Sequence, residues 1–600
     1  MLQDDEVKGK IYDFKLLKRL LRYGRPFWLL ILVGVVFTIG ASFLQLLGPY
    51  VTKMAIDRHI STGQYDGLMR MVLIYCSVLA LIFFVQYIQS FITQYLGQRT
   101  MYDLRSQIFS HLQRLSLGFF DKNPVGRLMT RVTSDVQSLN EIFTQGVVSI
   151  FGDLFLLAGI VIVMFSLNLT LALWIFTVVP VIFLITSIFK RKVRASFRLT
   201  RKLLAQINSY LQENITGMSI VQVFNREPKN YTQFTEINAR HTEAYIRMIF
   251  YYAVFFPAIE LVSAIALAIV LLRGGLLQME GLATYGALVA FIQYAQMFFM
   301  PISDLSEKYN ILQSAMASSE RIFKLLDTAP AIASLPSAAQ NDSFPGRIEF
   351  SKVWFAYNDE EYVLKDISFC IEPGESIAIV GHTGAGKTSL INLIGRQYEI
   401  NKGQIRIDGR DIREWNLQSL RSMMAVVLQD VFLFSGTIIE NVRLGNKSIP
   451  ESRVVEACQK VYAHAFIENL PSQYHTILNE RGASLSMGQR QLLSFARALV
   501  IDPRILILDE ATSSVDTETE MLIQHALQTM LHNRTSIIIA HRLSTIKNVD
   551  RILVFHKGQL KEAGTHTELI RQQGLYHQLY QLQYREQDLL AAASLSGAKG

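Results

Sequence analysis

Residues 381–388 read Gly-His-Thr-Gly-Ala-Gly-Lys-Thr, a glycine-rich turn closed by an ammonium and a hydroxyl. Backbone N–H groups of such a turn cradle phosphates, and a helix starting behind it adds the positive end of its dipole. Gly381, His382, Thr383, Gly384, Ala385 and Gly386 form the cradle, with Ser389 following. Lys387 would reach the β- and γ-phosphates and Thr388 would ligate Mg²⁺. The flanks, apolar Ile377–Val380 before and Leu390–Gly395 after, fit a buried strand running into a helix. A second apolar run, Ile505–Leu508, ends in Asp509 and Glu510. Open α/β sheets bind ligands at the carboxyl ends of their strands. Asp509 there can hold Mg²⁺, and Glu510 can polarise an attacking water as a general base.

Three single residues stand at comparable places. Gln429 follows AVVL and can sense the metal and the water; His541 follows SIIIA and can touch the γ-phosphate; Tyr357 closes VWFAY and can stack on a base. Alone, each reads more simply as a loop amide, a core histidine and a core aromatic. Their order around the two phosphate motifs favours the nucleotide reading.

These residues need a soluble α/β domain, yet the chain of 600 residues is half hydrophobic and its mean hydropathy is +0.24. The apolar runs crowd the first 300 residues. A bilayer core takes about 20 apolar residues as helix. Six segments qualify: Phe27–Leu47, Leu68–Phe91, Val147–Phe165, Leu169–Phe189, Ile249–Leu272 and Ala283–Met300. Lys8–Arg25 reads as an amphipathic helix on the membrane surface, and no cleavable leader is expected at the N-terminus. The net charge of +8 resides mostly in loops between apolar runs, so it sets orientation and does not point to nucleic acid. Cys76, Cys370 and Cys458 are far apart, giving neither a metal site nor a disulfide.

The connections after spans two and four are long and basic, which places them and both termini in the cytoplasm. As one continuous helix, roughly 57 residues would reach about 85 Å. Two pieces break the helical pattern: 116–136, with Pro124 and Gly126, and 214–227, with Gly217. Their apolar residues Phe119, Phe120, Ile220, Val221 and Phe224 favour docking helices over plain solvent turns. In span five, Glu260 is costly as a carboxylate and should face a cavity or a partner, with Pro257 kinking the helix. Phe291, Gln293 and Phe298 of span six are substrate candidates, although helix packing explains the same pattern as well. The expected domains are a membrane domain at 1–327, a linker at 328–346, an α/β P-loop ATPase domain at 347–580 and a disordered tail at 581–600.

With GHTGAGKT, LQD, FLFSGTIIENV, LSMGQ, ILILDEATSSVD and AHRLST in order, residues 12–580 resemble a half-transporter of the ATP-binding-cassette (ABC) exporter family. The resemblance implies two cassettes joined head to tail with two ATP between them and Mg²⁺ at each. Each ATP would meet one chain's glycine loop and the other chain's signature, here Ser486, Met487, Gly488 and Gln489. It also assigns Phe120, Asp121, Gly126, Gly217 and Phe224 to coupling segments, Glu480 to a cross-chain contact and Asp516 to sensing the opposite site. The family has glycine where this chain has Met487. That residue serves the partner's ATP, while Lys387, Asp509, Glu510 and His541 are intact. The pattern fits the Glu-bearing half of a heterodimer with one slow site; a homodimer tolerating methionine is the alternative. The expected activity is ATP-driven export of hydrophobic or amphipathic compounds from the cytoplasmic membrane. A lipid flippase is the close alternative, and an ATP-gated channel fits less well because the hydrolytic residues are present.

Overall fold

A computed structural model describes residues 14–63, 65–142, 144, 147–334, 345–358, 361–509, 517–540 and 543–583. By internal contacts the chain forms two compact units. One comprises Met1–His111 with Gly126–Thr328; the other comprises Leu112–Val125 with Ala329–Gly600.

The first unit is helical. Among the described residues five helices are long and apolar enough to cross a membrane: Lys18–Ile60, Gly67–Leu112, Ser149–Leu167, Leu169–Thr216 and Glu227–Met279. The sixth segment named above lies in the helix Tyr285–Leu326, which is not among those five. Local chemistry fixes the turns. Asn168 separates two apolar runs because its side chain accepts the Leu171 N–H at 3.0 Å, capping the next helix. Thr284 caps Tyr285–Leu326 through the Ala287 N–H at 3.1 Å. Its hydroxyl also donates to Asp57 at 2.7 Å, and Asp57 takes the Gly286 N–H at 2.8 Å. This carboxylate at a helix start is favoured by the dipole.

The helix Tyr285–Leu326 is pinned at three further levels. Lys308 pairs with Asp153, and Arg321 with Ser318 holds Asp135. Arg19 grips Asp327 through two bonds of 2.6 and 2.7 Å while lying over the Phe323 ring at 4.3 Å. Arg19 belongs to the helix Phe14–Gly24, the described part of the expected surface helix.

The long connections differ from a single rod. The second runs down the helix Val179–Thr216, turns at Gly217, and returns along Glu227–Met279. Folding as a hairpin halves the reach that one continuous helix would have. In the first, the break falls at Asn123 and Pro124, between Leu117–Lys122 and Val125–Thr130. Gly126 lies inside the second of these helices and is not the breaker: one proline, which disfavours helix at the preceding residue, suffices. Pro257 lies within the unbroken helix Glu227–Met279.

The second unit carries a six-stranded sheet in the order Gln559–Gly564, Arg551–His556, Ser376–Val380, Thr535–Ile539, Ile505–Asp509, Met424–Val427. All neighbours are parallel except the edge strand Gln559–Gly564. Successive side chains point to opposite faces. Ile505 and Ile507 join a core under the antiparallel sheet that begins with Ile348–Ala356, while Leu506 and Leu508 join the helical core on the other side. Burial on both faces is why these strands read as unbroken apolar runs.

Candidate nucleotide site

The parallel order brings the carboxyl ends of four strands to one edge of the sheet. Val380 leads into the glycine loop, Asp509 ends its strand opposite Ile539, and Val427, paired with Leu508, is followed two residues later by exposed Gln429. The loop closes on Gly386, at φ 96°, directly ahead of the helix Lys387–Ile394. A Cβ at Gly386 would stand 2.6 Å from Leu364, so both backbone and space call for glycine.

Lys387 donates from Nζ to the Gly381 carbonyl at 2.7 Å and to the His382 carbonyl at 3.2 Å. Burial lowers its affinity for the proton below that of an ordinary lysine, with Asp509 opposing the shift. Burial pushes the Asp509 carboxyl up, Lys387 opposes, and Asp430 adds to the rise. A desolvated ammonium folded back on its own loop, beside a desolvated carboxylate, fits a site whose charges await a triphosphate and its cation. Thr388 is exposed at the start of the helix, while Ser389 is buried. Thr388, Asp509 and Gln429 would hold Mg²⁺, which neutralises phosphate charge when bound. Among the described residues no group of three or more His, Cys, Asp or Glu is placed to hold a metal ion.

Tyr357 is 41% exposed and leaves a ring face open to a base. Its hydroxyl shares a 2.9 Å hydrogen bond with Ser389, so the base seat and phosphate loop are joined. Glu510, Asp516 and His541 lie outside the described residues.

The signature opens the helix Met487–Leu499. Ser486 accepts the Gln489 N–H at 3.2 Å, and Gln489 Oε1 accepts the Ser486 N–H at 3.0 Å, a reciprocal cap. Met487 takes the first helical position without a left-handed backbone and is 38% exposed; Gly488 is buried. Methionine therefore folds here unstrained, and its bulk bears on whatever approaches from outside. Further along this helix Arg497 donates to the Phe432 carbonyl at 2.9 Å, the Asn441 carbonyl at 3.0 Å and Asn441 Oδ1 at 3.3 Å. Asn441 in turn bonds the Phe434 N–H and carbonyl, both at 2.8 Å. The loop after Gln429 is thus fastened to the signature helix. Neither Arg497 nor Tyr398, met below, was among the sequence candidates, because a lone arginine or tyrosine leaves no periodic trace.

The coupling candidates behave in two ways. Asp121, on Leu117–Lys122, accepts a hydrogen bond from the Tyr398 hydroxyl within the cassette unit, and neighbouring Phe120 is half-buried. Gly217 joins Val179–Thr216 to Met218–Val223, where Ile220, Val223 and Phe224 are bare, the last at 70% exposure. Glu480 is exposed at the start of the turn Glu480–Gly482. Of the substrate candidates, Glu260 is exposed and Gln293 half-buried, while Phe291 and Phe298 are packed with Tyr294 in the membrane unit's core.

A glycine loop on a parallel sheet, joined to a bundle of membrane-length helices, defines a membrane-bound P-loop ATPase. Residues 31–302 match the family model of the ABC transporter transmembrane region and 364–513 match that of the ABC transporter. The chain belongs to the ABC transporter family, as an exporter-type half-transporter with both regions in one polypeptide. It is 40% identical over 588 residues to the ABC transporter ATP-binding protein YknV of Bacillus subtilis, covering 97% of this chain and 96% of that one. It is 36% identical over 579 residues to an ATP-dependent lipid A-core flippase of Syntrophus aciditrophicus, 95% and 94% of the two chains. It is 37% identical over 533 residues to a probable multidrug resistance ABC transporter ATP-binding/permease protein, YheH of Bacillus subtilis, 88% and 79%. The protein is a multi-pass membrane ATPase that couples hydrolysis to transport.

Proposed function

We propose that the chain is the catalytic-glutamate half of a heterodimeric exporter of hydrophobic or amphipathic compounds. Its membrane domain has six spans in the cytoplasmic membrane, with both termini and the cassette on the cytoplasmic side. The observation that carries the pairing is Met487, unstrained and outward at the head of the signature helix. Its bulk burdens a nucleotide held by the partner and leaves this chain's own glycine loop untouched. Lys387, Thr388, Asp509 and Glu510 would hold and hydrolyse one ATP with Mg²⁺, assisted by the partner's signature, while the site bordered by Met487 turns over slowly. The bare Ile220, Val223 and Phe224 support docking on a second cassette.

Two relatives named for multidrug resistance and lipid flipping favour an apolar cargo over a sugar or an ion. The flippase name gives lipid movement as the second reading. Glu260, an exposed carboxylate in a membrane helix, belongs to the cargo cavity or the subunit contact in either case.

The deciding experiment is ATPase activity of the purified chain alone in lipid, beside a Glu510→Gln control. Little turnover alone, restored by a second half-transporter, is expected. Robust Glu510-dependent turnover by the chain alone would establish a homodimer and overturn the asymmetric scheme.

A further inference from the structure

Resting on the nucleotide reading above, we infer that Tyr398 is a positioning residue that carries the presence of a nucleoside base at Tyr357 to the segment Leu112–Val125. The rings of Tyr357 and Tyr398 meet edge to face, 5.1 Å between centroids at 90°. Phe355 backs both, at 4.8 Å from Tyr357 and 5.8 Å from Tyr398. A base stacking on the open face of Tyr357 can turn that ring only by pressing on these two neighbours.

Phe355 is fully buried on a strand and cannot yield. Tyr398 has a free direction, because its hydroxyl points out of the cassette core and donates to Asp121. Burial and the Asp121 hydrogen bond push the phenol's pKa well above the ordinary tyrosine value, so it remains a donor at working pH. Gly118 lies beside the same ring: a Cβ added there would stand 3.4 Å from Tyr398 Cε1. One ring therefore touches the base seat with its face or edge and the Leu117–Lys122 helix with both its edge and its oxygen.

The backbone under Tyr398 is held fast, so ring movement is not absorbed below it. Arg421 donates to the Gly395 carbonyl at 3.2 Å and the Arg396 carbonyl at 3.0 Å. Arg396, itself buried, donates to Glu399 at 2.8 Å, and the Gln397 N–H donates to the Asn392 carbonyl at 2.9 Å. Because Tyr357 is also bonded to Ser389, phosphate binding and base binding pull on the same tyrosine from two sides. The triphosphate alone steadies the Tyr357 hydroxyl without turning its ring; only a base turns the ring. The device would make Leu112–Val125 respond to a nucleoside triphosphate and not to polyphosphate anions.

The test is hydrogen–deuterium exchange of peptides spanning 112–125 in the full-length transporter in nanodiscs. The ligands are a non-hydrolysable ATP analogue and ribose 5′-triphosphate, each saturating by displacement of a fluorescent nucleotide. The analogue should slow exchange there by about tenfold, the scale of one hydrogen bond to a charged acceptor. Ribose 5′-triphosphate should leave it unchanged. Tyr398→Phe, which keeps the ring and removes the oxygen, should abolish the response while leaving analogue affinity as in the native protein and lowering thermal stability by no more than the loss of that one bond. Asp121→Ala should do the same, Asp121→Asn, which keeps an acceptor oxygen, should restore part of it, and the double variant Tyr398→Phe/Asp121→Ala should be no worse than either single. A full response in Tyr398→Phe, an equal response to ribose 5′-triphosphate, or additive losses in the double variant would overturn the inference. Failure of the native protein to bind the analogue would instead strike the nucleotide reading itself and remove this inference with it.

Discussion

Replacing Arg497 by methionine tests whether the Gln429 loop depends on the signature helix for its position. Methionine matches the length of the arginine stem but offers no donor. Two well-formed bonds to carbonyls, at 2.9 and 3.0 Å, and one longer bond at 3.3 Å disappear. A hydrogen bond from a charged donor contributes about 1.5 kcal/mol or more, so the two good ones set a loss of about 3 kcal/mol. Burial already lowers the proton affinity of Arg497, and relief of that desolvation offsets part of the loss. The Phe432 and Asn441 carbonyls left behind must find water or remain unpaired, which works the other way. A domain of 150–250 residues loses roughly 2–4 °C per kcal/mol, so the cassette's transition should fall by about 6–12 °C. Calorimetry of the full chain reads this, the cassette transition being the one that ATP raises. Turnover should fall with little change in ATP binding, because the glycine loop is untouched. Arg497→Lys, which reaches one carbonyl, should lie between. A fall of less than about 2 °C would refute the fastening role and with it the claim that these three bonds position the loop.

Met487→Gly should be slightly destabilising, by less than about 1 kcal/mol, since a helical backbone gains nothing from glycine. In the assembled heterodimer it should change steady-state ATPase less than about twofold, because the competent site already carries most of the turnover and a restored slow site could at most match it; a tenfold rise in the chain alone would mean two sites hindered by Met487 and hence a homodimer. For the membrane unit, Lys308→Met should cost about 3–5 kcal/mol by stranding Asp153, and Lys308→Met with Asp153→Leu should recover most of it. Equal thermal stability of single and double variants would show that the pair is not a unit.

Legibility in the sequence followed how local the cause is. The strands Ser376–Val380 and Ile505–Asp509 were plain because burial on both faces writes a continuous apolar run. The glycine loop was plain because its conformation tolerates few residue types. Helix starts at Leu169 and Tyr285 carried their caps one residue upstream. The hydrogen bond between Asp121 and Tyr398 spans 277 positions and that of Arg497 to Phe432 spans 65, so neither leaves a pattern in any window. Gly126 misled because glycine marks a possible break and Pro124 had already supplied one. The face presented by Phe291 depends on which helices surround it, which a hydrophobic run does not encode.

The helix Tyr285–Leu326, 42 residues and so about 63 Å long, is held at four stations by Asp57, Asp153, Asp135 and Arg19. A beam on four supports is statically overdetermined: it shares a load among its bearings and keeps its line when one is lost. Its bearings are unequal. Lys308 and Asp153 keep only 12% and 20% of their surface in contact with solvent, whereas Arg19 and Asp327 keep 36% and 60%. Salt screens exposed charges and hardly reaches buried ones. Ionic strength thus slackens the bearing at the C-terminal end of the helix and leaves the interior ones tight, which gives the beam a compliant end and a stiff middle.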